Sequence, residues 1–443
     1  MSEAKYIEIA KEIERLIDIG HYTVDSKLPT HRALADKFTT TPVTIAKAYK
    51  VLTENDRIES FVGRGSFVKG QPQLKQVIQS QFEENEWNFS ILQPCYAEHV
   101  DRLHSRLQQS FSQLDNPTLY GYTENTGFMH HREAGMRWLQ HYGLQLRTAE
   151  QVLLTNGAQH ALSILIELYT KAGDYIAVEA QTYPGILSIT RQLGRKVIGV
   201  KMDTEGMCPQ SLEKVCKQHH PSMVIVVPSH QNPTGATMPL SRREAIAKVV
   251  QSRSVWLVED DIYGFLNPTP IPAITNFLPE KSFYINSLSK AISPGMRCGF
   301  IKSPQSQVNR LVDFIRSSIW LSSPFMFEVA SNLIVSGDAF EMAIQQQAIA
   351  KRRQILARKI LSGFNMQSQE TSFHLWLTLP DGWQADDFVA TAKERGMLVS
   401  SGSFFSTEET NKQYIRLSLM AIADEEQLRL GLVELRNLLN SRS

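Results

Sequence analysis

The chain has 443 residues, of which 42% are hydrophobic and 21% are charged, and its formal net charge is +1. This length is more than one ordinary core holds, so two or three domains are expected. No apolar run approaches the about 18 residues of a membrane span, the charged N-terminus lacks a signal-peptide core, and the four cysteines are scattered. These features exclude membrane-spanning and disulfide-rich secreted classes and favour a cytoplasmic protein.

The first 70 residues predict three helices followed by a two-stranded hairpin. Apolar residues recur at helical spacing over about residues 4–20, and Thr30 can N-cap a second helix. Pro42 suits the first position of a third helix that extends to about Glu54. Two alternating segments then surround a tight glycine turn at residues 63–65. This order of elements is typical of a winged helix-turn-helix, whose third helix enters the major groove of DNA.

The motif LPTHRALADKFTTTPVTIAKAYKVL, followed by IESFVGRGSFV, resembles the GntR family of bacterial regulators. The resemblance implies that residues 1–70 form a DNA-binding domain and that double-stranded operator DNA is a partner. The residues that it implies to face DNA are Arg32, Thr44, Lys47 and Arg64. The family usually has arginine at the position of Pro42, so one expected contact is absent and the operator sequence is expected to be unusual.

The local charge fits the same interpretation, although it is weak evidence alone. Between Lys27 and Lys69 there are eight basic and four acidic residues, a local net charge of +4, which is a modest footprint for a phosphate backbone. The polar, glutamine-rich residues 71–88 show no strong period and predict a linker.

From Val152 onward, short apolar segments alternate with helical ones, which predicts an α/β domain with a mostly parallel sheet. The candidate strands are Val152–Leu154, Tyr175–Val178, Lys196–Val200, Met223–Val227, Val255–Val258, Phe283–Asn286 and Cys298–Ile301. Ligands of such sheets bind at the carboxyl ends of the strands. Chemically unusual residues at those ends are therefore candidates for a ligand site.

Several of these ends carry such residues, and each has an ordinary alternative when taken alone. Gly157 opens a helix whose free N–H groups suit an anion, but it is also a common helix start. The turn at residues 232–235 either only ends a structural segment or directs the Asn232 amide toward a ligand. Asp260 follows a buried strand, where a carboxylate needs a partner. Lys290, with serines before it and Arg297 seven residues later, suits a Schiff-base lysine beside a phosphate site.

These motifs, in this order, resemble the fold-type I enzymes that depend on pyridoxal 5'-phosphate (PLP), the aspartate aminotransferase superfamily, over about residues 89–443. The resemblance implies a large subdomain over about residues 111–325. The small subdomain is implied to contain about residues 89–110 and 326–443. It also implies that Lys290 carries PLP through a Schiff base and that Asp260 pairs with the pyridinium nitrogen.

The remaining cofactor contacts are likewise implied by the resemblance. Asn232 and Tyr263 are expected to bond the phenolic oxygen, and Tyr183 to stack on the ring. The catalytic set is thus Lys290, Asp260 and Tyr263. The residues implied to hold the phosphate are Ala158, Gln159, Ser287, Ser289 and Arg297. Tyr122 matches a tyrosine that reaches the partner subunit's phosphate, so a homodimer is expected. Arg416 matches the arginine that grips the α-carboxylate of an amino acid.

A GntR-type domain followed by an aminotransferase-like domain is the layout of the MocR subfamily. This resemblance implies a PLP-dependent transcriptional regulator that senses PLP or an amino compound. The alternative is an active aminotransferase with an accessory DNA-binding domain, because no expected catalytic residue is missing. A DNA-binding protein with an inactive second domain would not require a complete cofactor set.

No metal site is expected. Cys208 and Cys216 lie near His219 and His220, but their spacing matches no standard zinc pattern. Ordinary solvent-facing helix residues are the better account of all four.

Overall fold

The computed structural model describes residues 5–18, 21–22, 26–54, 57–61, 65–68, 87–96, 100–112, 117–122, 127–408 and 413–442. The chain divides into two units, an N-terminal unit of residues 1–73 and a C-terminal unit of residues 74–443. Arg64 and most of the expected linker lie outside the described residues.

The N-terminal unit contains the helices and strands that the sequence predicts. They are α1 (Lys5–Asp18), α2 (His31–Lys37), α3 (Pro42–Glu54), β1 (Ile58–Phe61) and β2 (Gly65–Val68). The two strands pair antiparallel. Ile13, Ile45 and Leu52 are fully buried between the helices. Thr30 caps α2 as predicted, because its hydroxyl accepts a hydrogen bond from the Ala33 backbone N–H at 3.3 Å.

The C-terminal unit alternates strands and helices over most of its length. Its strands are β3 (Trp87–Asn88), β4 (Val152–Asn156), β5 (Tyr175–Glu179), β6 (Lys196–Val200), β7 (Met202–Asp203), β8 (Gly206–Met207), β9 (Met223–Val226), β10 (Trp256–Asp260), β11 (Ser282–Ser287), β12 (Cys298–Lys302), β13 (Met366–Gln367), β14 (His374–Thr378), β15 (Met397–Leu398), β16 (Ser400–Ser401) and β17 (Tyr414–Ser418). Its helices are α4 (Val100–Ser112), α5 (Met129–His141), α6 (Ala158–Tyr169), α7 (Pro184–Gln192), α8 (Pro209–His219), α9 (Leu240–Arg253), α10 (Val308–Ile319), α11 (Pro324–Ser336), α12 (Asp338–Ile360), α13 (Ala385–Glu394) and α14 (Glu425–Leu439).

Seven strands form one large sheet in the order β4-β12-β11-β10-β9-β5-β6. All seven correspond to the strands predicted from the sequence, and the prediction of a mostly parallel sheet is confirmed. Only β12 is reversed, since it pairs antiparallel with both β11 and β4. The segment 288–297 that joins β11 to β12 is too short for the crossover helix that a parallel connection needs. Lys290 lies in this reversing segment.

Both faces of the large sheet are covered, which explains why its strands are apolar along their whole length. In β9, Met223 and Ile225 pack in the layer that contains Leu162 of α6. Val224 and Val226 pack in the opposite layer. The alternation places helices on both sides and leaves the ends of the strands as the open edge for a site.

A second, smaller sheet has the order β13-β14-β17-β16, with antiparallel neighbours. Its core includes Phe89, Leu375, Leu417 and Leu432, so the chain near β3 returns to pack with the last helix. Beside it, β3 pairs in parallel with β15. This arrangement brings the segment after β3 close to β17, which carries Arg416.

Burial corrects one expectation about the cysteines. Cys216 is buried at 3% exposure in the core beneath the large sheet, so the expectation that it faces solvent is wrong. It packs there because α8 is amphipathic, with Leu212 and Cys216 one turn apart on the same face.

No helix in the described part of the chain combines the length and apolar character that crossing a membrane requires.

Candidate cofactor site

A cavity of about 430 Å³ lies at the carboxyl ends of the central strands of the large sheet. It brings together every cofactor contact that the sequence predicts for a single subunit. These residues are Ala158, Gln159, Tyr183, Asn232, Asp260, Tyr263, Ser287, Ser289, Lys290 and Arg297. Arg416, the predicted carboxylate-binding residue, lines the same cavity. Ala158 and Arg416 are 258 positions apart in the sequence, so only the fold brings these residues together.

The order of the sheet explains this convergence. Asp260 is the last residue of β10 and Ser287 is the last residue of β11, and these two parallel strands are neighbours. Asn232 follows β9, on the other side of β10. Because the carboxyl ends of parallel strands meet at one edge, their side chains reach the same cavity. Lys290 reaches it from the reversing segment after β11.

Lys290 has the character of an amine that can react near neutral pH. Its Nζ donates a hydrogen bond to the Leu92 backbone carbonyl at 2.6 Å. Burial and then the nearby Arg416 lower the pKa of Lys290 from 10.5 to about 8, although Asp260 opposes the shift. A neutral amine is the form that adds to an aldehyde, so this environment favours the covalent chemistry predicted from the sequence.

Asp260 offers a carboxylate oxygen that the chain itself does not satisfy. It is 2% exposed, and its Oδ1 has no hydrogen-bond partner among the described residues. Burial raises the pKa of Asp260 to about 7, although a backbone hydrogen bond from Ile262 opposes this. A buried acceptor without a donor is costly, and a protonated pyridine nitrogen would supply both a donor and a positive charge. The PLP ring therefore fits this position.

The phosphate end of the site is formed by a helix start and an arginine. Gly157 has a φ of +81°, and α6 begins at the next residue. A Cβ atom added at Gly157 would lie 2.6 Å from Nη2 of Arg297, so glycine allows the guanidinium to approach the helix start closely. Arg297 Nη2 also donates to the Asn156 carbonyl at 2.9 Å. Free N–H groups beside a fixed guanidinium suit a phosphate dianion.

Two tyrosines bound the cavity where the ring would lie. Tyr183 caps α7, and a Cβ atom added at Gly185 would overlap the Tyr183 ring. The pKa of Tyr183 is raised to about 12 by burial and then by Asp260. Burial also raises the pKa of Tyr263. Both phenols are therefore neutral at neutral pH and can donate hydrogen bonds.

Arg416 is held at the cavity wall by several contacts. It lies on β17, and its Nη1 donates to Asn232 Oδ1 at 3.0 Å. Its Nη2 donates to Ser400 Oγ at 3.1 Å and to the Ser90 carbonyl, while its guanidinium lies 4.9 Å from the centre of the Phe405 ring. Burial lowers the pKa of Arg416 to about 10, so it remains a cation at neutral pH. It is thus preorganised to bind an anion in the cavity.

Tyr122 is the predicted cofactor residue that the fold does not bring to this cavity. Its side chain is 87% exposed, and its ring lies 5.5 Å from the ring of Trp320. That Tyr122 serves the site of a partner subunit stays a prediction.

Residues 90–93 also line the cavity, and no sequence motif indicated them. Ser90 and Leu92 contribute backbone carbonyls that accept from Arg416 and Lys290. Because any residue type has a carbonyl, no side-chain pattern could reveal these contacts. Only the pairing of β3 with β15 brings this irregular segment to the site.

The predicted DNA-facing residues of the N-terminal unit differ in their environment. Arg32 on α2 and Lys47 on α3 are exposed, as expected. Thr44 is half-buried, and its hydroxyl lies 2.9 Å from the Thr41 hydroxyl. Arg64 lies outside the described residues.

Comparisons with known proteins match both units. Residues 84–435 match the family "Aminotransferase class I and II", and residues 5–68 match "Bacterial regulatory proteins, gntR family". The chain is 27% identical over 440 residues to the uncharacterized HTH-type transcriptional regulator YdeF of Bacillus subtilis, covering 98% of this chain and 94% of that one. It is 26% identical over 315 residues to the HTH-type pyridoxine biosynthesis transcriptional regulator PdxR of Corynebacterium glutamicum, covering 69% and 67%.

Among solved structures, an archaeal alanine:glyoxylate aminotransferase superposes with a TM-score of 0.76 at 21% identity, covering 85% of this chain and 96% of that one. At this identity the likeness shows the fold, which is that of the fold-type I aminotransferases. The family match covers most of the chain, and the gntR match covers the unit that precedes it. The chain therefore belongs to the aminotransferase class I and II family and, through its gntR-type N-terminal unit, to the MocR subfamily of PLP-dependent transcriptional regulators.

Proposed function

We propose that this protein is a cytoplasmic, homodimeric transcriptional regulator that binds operator DNA and senses PLP, an amino compound, or both at Lys290. The observation that carries the proposal is the convergence of Lys290, Asp260, Asn232, Arg297 and Arg416 on one cavity in a chain that also has a gntR-type unit.

Each residue has a task that its environment supports. Bound PLP supplies an aldehyde and a protonated ring that can accept electrons. Lys290 provides the amine that links the cofactor to the chain. Asp260 keeps the proton on the ring nitrogen, because the buried carboxylate needs a cation. Tyr263 donates to the phenolic oxygen, and Arg297 holds the phosphate beside the start of α6.

The same cavity suits an amino effector that carries a carboxylate. Arg416 belongs to the small sheet, whereas Asn232 belongs to the turn after β9 of the large sheet. A carboxylate held by Arg416 would direct the effector's amino group toward Lys290, which lines the same cavity. Because Arg416 and Asn232 belong to different sheets, binding of the effector would change the contact between the two sheets. A change in how the dimer presents its DNA-binding units would follow from this difference.

The second candidate function is catalysis of transamination. It is favoured by the presence of Lys290, Asp260, Tyr263 and Arg416 in one cavity. Steady-state transamination against a panel of amino acids and keto acids separates the two functions. Turnover faster than about 1 per second, within the range of ordinary enzymes, would contradict a purely regulatory role.

The proposed function is tested by a DNA shift assay on the region that flanks the protein's own gene. The purified full-length protein is assayed without PLP, with PLP, and with PLP plus each member of an amino-compound panel. We expect specific binding that changes with at least one of these ligands, and we expect Lys290→Ala to bind DNA without that response. Binding that is indifferent to every ligand, or equal for random DNA, would contradict the proposal.

A further inference from the structure

The first turn of α3 exposes an apolar side chain where a DNA reader usually presents polar ones. Val43 is 66% exposed. Among the large hydrophobic residues of the N-terminal unit whose exposure the structure describes, the others are buried or half-buried. Single exposed apolar residues are common on protein surfaces, so the significance of Val43 depends on where it lies on α3.

Val43 belongs to a continuous face of α3. The exposed residues of this face are Val43, Ala46, Lys47 and Lys50. Ala46 and Lys47 lie three and four residues after Val43, and Lys50 lies four and three residues after them, so the four project from the same side. Ile45 and Leu52 lie on the opposite side, in the core. The lysines give this face a positive charge, which favours a polyanion over an apolar protein surface.

Two polar groups of the same turn are missing or already paired. Pro42 has no N–H group. The Thr44 N–H donates to Thr41 Oγ1 at 3.2 Å, and the two hydroxyls are 2.9 Å apart. Beside them, the Val43 side chain is an exposed apolar group that this turn presents to a partner.

We propose that Val43 is a specificity-determining residue that contacts the 5-methyl group of thymine in the major groove of the operator. Thymine methyls are the apolar groups that base pairs present in that groove. Lys47, one turn further along the same face, would contact the adjacent phosphates. This inference rests on the proposed DNA-binding function and adds the chemical feature that the operator must carry.

The test begins with selection of binding sequences from a randomised duplex library by the full-length, PLP-loaded protein. In the selected site, each thymine is then replaced singly by deoxyuridine, which removes only the methyl group. We expect one or two positions per half-site where this replacement weakens binding by wild type about fourfold, the value for burial of one methyl-sized group. Val43→Ala should bind the thymine site about as weakly as wild type binds the uracil site, and should not distinguish the two.

Val335→Ala is the matched control, because Val335 is 62% exposed but lies on α11 of the C-terminal unit. It should retain the full preference for thymine. A specific site at which wild type and Val43→Ala respond equally to every uracil replacement would overturn the inference and leave DNA binding intact. Failure to select any specific sequence would instead overturn the proposed function.

Discussion

Arg416 and Asn232 form a hydrogen bond of 3.0 Å between the small sheet and the turn after β9 of the large sheet. The Asn232 oxygen faces the guanidinium, so the amide must turn its NH2 group away from Arg416. That orientation makes Asn232 a donor, as required for a contact with the phenolic oxygen of PLP. The residue predicted to hold the effector carboxylate thus also orients a residue predicted to hold the cofactor.

We expect Arg416→Ala to weaken binding of a responsive α-amino acid by at least about 30-fold, since removing one partner of a buried charge pair costs about 2 kcal/mol or more. Cofactor binding through Lys290 should remain. The measurement is titration of the PLP-loaded protein with the amino acid and with the corresponding amine that lacks the carboxylate. The amine should bind both proteins equally. An equal loss for both ligands would show that Arg416 supports the cavity and does not read the carboxylate.

We expect Lys290→Ala to abolish the visible absorbance of bound PLP while leaving a folded dimer. Lys302 provides the matched control, since its pKa is also lowered to about 8 by burial and it is 2% exposed. Lys302 lies outside the cavity and donates to the Pro279 carbonyl at 2.8 Å. Lys302→Met should therefore keep the absorbance. Borohydride reduction followed by peptide mapping should place the cofactor on Lys290, and recovery of it on Lys302 would contradict the assignment.

This pair of lysines also shows what the sequence could establish. Both follow or end a buried strand, but only Lys290 stands among serines and before Arg297, so its neighbours distinguished it. The seven strands were likewise predictable, because residues buried on both faces give continuous apolar segments. The antiparallel direction of β12 follows from the short connection after β11, which the prediction of a mostly parallel sheet did not take into account. The carbonyl contacts from residues 90–93 were not predictable, because they depend on strand pairing and not on side-chain chemistry.

The rate of PLP attachment should depend on pH through Lys290. Its pKa is lowered to about 8, so the neutral, reactive fraction increases about tenfold per pH unit below that value and levels off above it. For an ordinary lysine, the neutral fraction would continue to increase steeply up to about pH 10.4. Stopped-flow absorbance across this range measures the profile. Asp260→Asn should move the plateau to lower pH, because Asp260 raises the pKa of Lys290. A profile still increasing at pH 10 would contradict the assigned environment.

Tyr122 should act across the dimer, because it lies outside its own cavity and is 87% exposed. We expect Tyr122→Phe to weaken PLP binding about fivefold to tenfold through loss of one phosphate hydrogen bond. Mixed dimers of Tyr122→Phe and Lys290→Ala chains provide a direct test. The Tyr122→Phe chain keeps its own Lys290 and receives Tyr122 of the partner subunit, so half of the sites should bind PLP with wild-type affinity. Weak binding at every site would contradict a role across the dimer.

Basic residues of the N-terminal unit should determine how salt affects DNA binding. Each phosphate contact releases about one counterion on binding. The loss of one contact therefore reduces the slope of log affinity against log salt concentration by about one. Arg64→Ala and Lys47→Ala should each weaken binding to operator and to unrelated DNA by similar factors and lower this slope. Arg429→Ala is the control, because Arg429 pairs with Glu426 on α14 of the C-terminal unit. If Arg64→Ala left the slope unchanged but changed the preferred sequence, Arg64 would contact a base edge and not a phosphate.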